Sequence, residues 1–139
     1  MSTTKYWTFL LLGTLILCGI GCSDNIQVRG VVTFSDDGTP LTVGTVFFEN
    51  DTMMARGSIN EDGTFRMGSE GQTDGLLPGT YNVYVANALG TAGNPVAPQI
   101  IPLIDPKYTC ASTSGITVTV DRTTSRTPLE IQVGRFGTR

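Results

Sequence analysis

Leu76-Leu77-Pro78-Gly79-Thr80-Tyr81-Asn82-Val83-Tyr84-Val85-Ala86-Asn87 decides the fold class of this chain. Tyr81, Val83 and Val85 alternate with Asn82 and Tyr84, the period of two that sends successive side chains to opposite faces of a strand. Pro78-Gly79 closes the preceding loop and keeps proline away from the strand centre. The same rhythm recurs on both sides. In residues 27–34, Val28, Val32 and Phe34 fall on one face, with Arg29 and Thr33 on the other. Further strands are predicted over 45–50, 54–59, 64–67, 116–120 and 129–133, with Asn60-Glu61-Asp62-Gly63 as a hairpin turn suited to positive φ.

Seven short, half-buried strands must cover one another. The expected architecture is therefore all-β, a seven-stranded antiparallel β-sandwich filling residues 27–139. Residues 88–115 break the rhythm. They are rich in Gly, Ala and Pro (Pro95, Pro98, Pro102, Pro106) and are expected to form one long loop, a length that compact domains seldom carry without a use.

The N-terminus reads as an address. Lys5 precedes a largely apolar run over residues 6–21, short of the roughly 20 apolar residues a spanning helix wants. Gly19-Ile20-Gly21-Cys22 resembles the lipobox of bacterial lipoprotein signal peptides, with Gly19 where leucine is usual. That resemblance implies a cleaved signal peptide over 1–21, a diacylglycerol on the Cys22 thiol, and a short tether over 22–26. The chain would then be lipid-anchored on the periplasmic or outer side of a bacterial membrane.

Composition narrows the chemistry. The chain has no histidine, which removes Ser-His-Asp and Cys-His nucleophiles and His-ligated metal sites. All twelve acids but only eight of the nine bases follow Cys22, so the remaining 118 residues carry about −4, with no basic footprint for nucleic acid. Cys18 leaves with the leader and Cys22 takes lipid. Cys110 is then alone, and no disulfide framework is implied; a buried or half-buried structural role is expected for it.

Gly30-Val31-Val32, then Gly38-Thr39-Pro40-Leu41-Thr42-Val43-Gly44-Thr45-Val46, then Asp62-Gly63-Thr64-Phe65, then Leu77-Pro78-Gly79-Thr80-Tyr81 follow one another in order. Together they resemble the carboxypeptidase-regulatory-like (prealbumin-like) domain, with one residue fewer between Pro78 and Gly79 than the family pattern has. The resemblance covers residues 27–87. Pro106-Lys107-Tyr108 and residues 113–120 look like the closing segment of small lipoproteins bearing this domain. It implies a prealbumin-like fold and an accessory, adhesion or binding role, without an activity or cofactor. Related adhesin-stalk domains join a first-strand lysine to a last-strand Asn or Asp. Here the first strand offers Arg29, and Lys107 lies in the long loop, so no such crosslink is expected.

Candidate sites follow from the alternation. Phe47 and Tyr84 fall on the polar side of their strands, where outward aromatics stack on sugars or anchor a partner protein. With Tyr108 they are the candidate surface-binding residues, unless the 88–115 loop covers the Phe47–Tyr84 pair. Asp36-Asp37-Gly38 and Asn60-Glu61-Asp62-Gly63 offer oxygens to Ca²⁺ but lack the spaced pattern of a calcium loop, and Asx-Gly is ordinary turn chemistry. The leading expectation is a non-enzymatic, membrane-tethered envelope module whose partner is an envelope protein or glycan. Its rivals are a carbohydrate-binding module and a hydrolase using carboxylates alone.

Overall fold

A computed structural model describes residues 24–68 and 74–137. The leader over 1–21 and the expected lipidation residue Cys22 lie outside the described residues. The chain is all-β. Its strands are β1 (Arg29–Phe34), β2 (Thr45–Glu49), β3 (Met54–Ser58), β4 (Thr64–Arg66), β5 (Gly79–Ala86), β6 (Leu89–Ala92), β7 (Gln99–Pro102), β8 (Ile116–Val120) and β9 (Leu129–Val133). They form a three-stranded sheet, β4-β1-β9, a four-stranded sheet, β3-β2-β5-β8, and a separate β6-β7 hairpin. Among the described residues no helix is long and apolar enough to cross a membrane.

The two larger sheets share one core. Val28, Val32, Phe65 and Ile131 enter it from the first, and Val46, Phe48, Tyr81, Val83 and Val85 from the second. The Phe48 ring lies 6.4 Å from Phe65 and 6.1 Å from Tyr81, within the reach of favourable tilted aromatic pairs. Alternation thus placed the core faces correctly. Ile26 belongs to this core as well. It is buried and its N–H donates to the Leu76 carbonyl, so the folded unit begins one residue earlier than the tether expectation allowed.

The structure corrects four expectations. There are nine strands among the described residues, since residues 88–115 hold β6, β7, a 3-10 turn (Pro106–Thr109) and a short helix, α1 (Ala111–Ser114), rather than one loop. The sheets are not wholly antiparallel, because β9 runs parallel to β1 with Val32 beside Ile131. The cause lies in the connection. β8 ends at Val120 opposite Gly79, and residues 121–128 cross to the other sheet at that same end, so β9 must start where β1 starts. Thr33, expected on a solvated face, is buried; residues 39–41 pair alongside β1 there, with Pro40 bridged to Thr33. Cys110, expected to be at least half-buried, is exposed at the start of α1.

Strand directions define two poles. The chain emerges beside Asp24 and Asn25, next to Leu77 at the start of β5, and β5 runs from there to Ala86 at the opposite pole. Eight residues of strand span roughly 26 Å. The β6-β7 hairpin follows β5 at that far pole, its base tied by the Leu103 N–H to the Ala88 carbonyl.

Candidate outer-face site and neighbouring clusters

β2 and β5 are hydrogen-bonded neighbours, and their register sets Phe47 directly opposite Tyr84. Val46 and Phe48, like Val83 and Val85, point into the core, so the period of two forces residues 47 and 84 outward. Their rings stack with centroids 4.9 Å apart and planes 5° apart. Each ring therefore spends one flat face on the other. Arg56 of β3 stands opposite Phe47 on its other flank.

Both rings are half-buried on a face that also carries Glu49, Met54, Arg56, Thr80, Asn82, Thr117 and Thr119. The segment expected to roof them does so only in part: the 3-10 turn and α1 lie against β5. The Tyr84 hydroxyl sits 3.7 Å from Met54 Sδ. Burial pushes the Tyr84 phenol pKa up, and the Glu49 carboxylate and Cys110 add to the rise. Tyr84 is thus a protonated donor at neutral pH.

Tyr108 does not join this pair among the described contacts. Its ring packs partly buried against the core and along Gly134, where a Cβ would lie 3.3 Å from Tyr108 Cε2, while Lys107 Nζ stands 4.7 Å over the ring. Tyr108 is half-buried, as Phe47 and Tyr84 are, but it stands apart from their stack. The alternation rule could not reach it, since it lies on a 3-10 turn.

The acidic turns use their oxygens internally. Asp37 Oδ1 accepts from both the backbone N–H and the hydroxyl of Thr39. Asn50 with Thr52, Asp62 with Thr64, and Asp121 with Thr123 repeat the arrangement. The signal is Asx-x-Thr in the sequence, a side chain closing its own turn. Among the described residues no three acids or cysteines gather as a metal centre.

Sequence reasoning missed one cluster. Arg135 donates to Asp36 Oδ2 at 2.8 Å and to Asp37 Oδ2 at 2.9 Å, and its guanidinium lies 3.7 Å over the Phe34 ring. Ninety-eight residues separate Asp37 from Arg135, so no local pattern announces the clasp. The Thr39 N–H and hydroxyl, and then Arg135, lower the Asp37 pKa from 3.8 to about 2. A lowered folded-state pKa means the clasp contributes fully above the unfolded carboxylate value and fades as pH falls through about 2. A carboxyl NMR titration should place the Asp37 midpoint near 2, and Arg135→Ala should leave most of the depression because Thr39 is the larger cause. A midpoint at the ordinary value in the unaltered chain would contradict the turn geometry.

An open depression of about 550 Å³, lined by Asp24, Asn25, Leu77, Pro78 and Arg122, marks the pole where the chain emerges. No protein-family model, no curated protein and no solved structure matches this chain.

Proposed function

We propose that this protein is a non-enzymatic, lipid-anchored module of the bacterial cell envelope. In this reading the two sheets form a prealbumin-like sandwich of the carboxypeptidase-regulatory-like kind, and Cys22 carries the lipid. The module binds an envelope partner through the outer face of the β3-β2-β5-β8 sheet. The observation that carries the reading is the Phe47–Tyr84 stack, a half-buried aromatic ridge flanked by the exposed Met54 on a largely polar sheet face. The lack of histidine anywhere in the chain supports a role without acid–base catalysis. Because one flat face of each ring is already occupied, the geometry favours a protein partner gripping the ridge over a sugar laid on an open platform.

The test has two arms. Cys22→Ser should move the protein from the membrane to the soluble fraction; a variant that stays in the membrane, unprocessed, rules out the lipid anchor. Tyr84→Ala in the released protein should weaken its binding to isolated envelopes about tenfold or more, as loss of an aromatic anchor does. Its stability should fall by no more than about 1.5 kcal/mol, the scale of one exposed aromatic pair. Unchanged envelope binding would take the site off this face. Binding lost to purified glycan instead would identify a sugar partner.

A further inference from the structure

We propose that the β6-β7 hairpin is a self-association device, docking onto the same hairpin of a second copy of this chain. The proposal rests on the lipid-anchor reading, because it uses the orientation that the anchor imposes.

Most of the exposed apolar surface is gathered at one pole. Val43, Leu89, Val96, Ile100 and Phe136 are five of the seven large apolar side chains exposed among the described residues, and all five belong to the pole opposite Asp24 and Asn25. Val43 precedes the end of β2 that pairs with Ala86, and Phe136 follows β9 and donates its N–H to the Leu103 carbonyl at the hairpin's base. The hairpin itself is the most apolar element of the pole. Val96 at its tip is 90% exposed, Ile100 73% and Leu89 48%.

Register sorts its two faces. Leu89 stands opposite Pro102 and Thr91 opposite Ile100, so these four share a face; Gly90 with Ile101 and Ala92 with Gln99 share the other. Leu103 lies against Gly90 and covers the second face at its base. The Leu89–Ile100 face is left open. A two-stranded ribbon with an apolar open face is unstable to leave in water and marks an interaction surface.

Three features choose the occupant. No charged residue occurs from Asn87 to Ile104. In a two-fold contact each residue near the axis meets its own copy, so a charged patch there would face like charge, whereas an uncharged apolar face complements itself. The finger also lacks Trp, Tyr, Lys and Arg, the residues that hold a segment at a lipid interface, which argues against insertion into a bilayer. Finally, only Ser23 separates Cys22 from Asp24, and two residues of chain reach at most about 7 Å. Anchored copies therefore keep the same pole near the bilayer and hold their fingers at one height. A two-fold axis along the membrane normal brings the Leu89–Ile100 faces together. Confinement to a surface raises the effective concentration enough for an interface well below the usual 1,600 Å² or so.

The experiment places a cysteine on the open face of the full chain. In a Cys110→Ser background, Thr91→Cys should give a product of twice the chain mass when isolated membranes are mildly oxidised. Asp51→Cys, on the loop between β2 and β3 at the other pole, should give none. Adding Ile100→Asp should lower the Thr91→Cys product at least about tenfold, with the circular dichroism spectrum unchanged. Val96→Asp at the tip, where folding is least at risk, serves as the second disrupting variant. A Thr91→Cys chain that remains single while still membrane-bound overturns the proposal and leaves the anchor reading standing. A product of any other mass overturns it too, by naming a different occupant. Recovery of the unaltered chain in the soluble fraction removes the anchor, and the alignment argued from it falls with it.

Discussion

Tyr81→Ala is expected to lower the free energy of unfolding by about 3–5 kcal/mol, the cost of truncating a buried aromatic ring to a methyl group. The ring is 1% exposed and sits 6.1 Å from Phe48 between the two sheets. Its hydroxyl donates to the Leu77 carbonyl at 2.8 Å, tying β5 back to the loop from which it springs. The substitution removes the packing, opens a cavity and leaves that carbonyl without its donor. Desolvation raises the phenol pKa, so the group stays protonated and able to donate across the neutral range. Tyr81→Phe separates the contributions: it keeps the ring and should cost only about 1 kcal/mol, the net worth of one such hydrogen bond. Urea unfolding reads both variants. A loss below about 1 kcal/mol for Tyr81→Ala would put the ring at the surface rather than between the sheets.

Gly57→Ala is expected to be the most damaging single-methyl addition. A Cβ at Gly57 would lie 2.2 Å from the Arg66 carbonyl oxygen, 2.9 Å from its carbon and 3.1 Å from Met67 Sδ. Backbone, not a flexible side-chain end, blocks the space. At this point β3 of one sheet meets the strand β4 of the other: Arg56 and Gly68 exchange backbone hydrogen bonds at 3.0 and 3.1 Å. Making room for the methyl group means parting the sheets at that edge. Overpacking of this kind costs about 1–3 kcal/mol, and more where backbone must move. Ser58→Ala, on the exposed side of the same strand, is the control and should change stability by less than about 0.5 kcal/mol. If Gly57→Ala proves as mild as the control, the two strands do not approach so closely.

The sequence by itself determined the facing of the core strands, which depends on residues two apart. Val46 and Phe48 against Phe47, and Val83 and Val85 against Tyr84, carry their facing in the alternation, because the pleat assigns side chains to faces before any partner strand is known. Hence the all-β class, the core faces and the outward Phe47 and Tyr84 were legible. The turns at Asp36-Asp37-Gly38 and Asn60-Glu61-Asp62-Gly63 were legible for a like reason, being closed within a few residues. Tertiary structure alone decided what depends on where a connection delivers the chain. Alternation does not encode strand direction, so the parallel pairing of β1 with β9 followed only from the crossing of residues 121–128 at one pole. Thr33 is buried where Pro40 bridges to β1, and Tyr108 packs partly against the core from a 3-10 turn that has no period of two. The Arg135 clasp joins groups almost a hundred residues apart. The β6-β7 hairpin carries no alternating signal, because none of its strand residues is fully buried and little core presses on it to alternate.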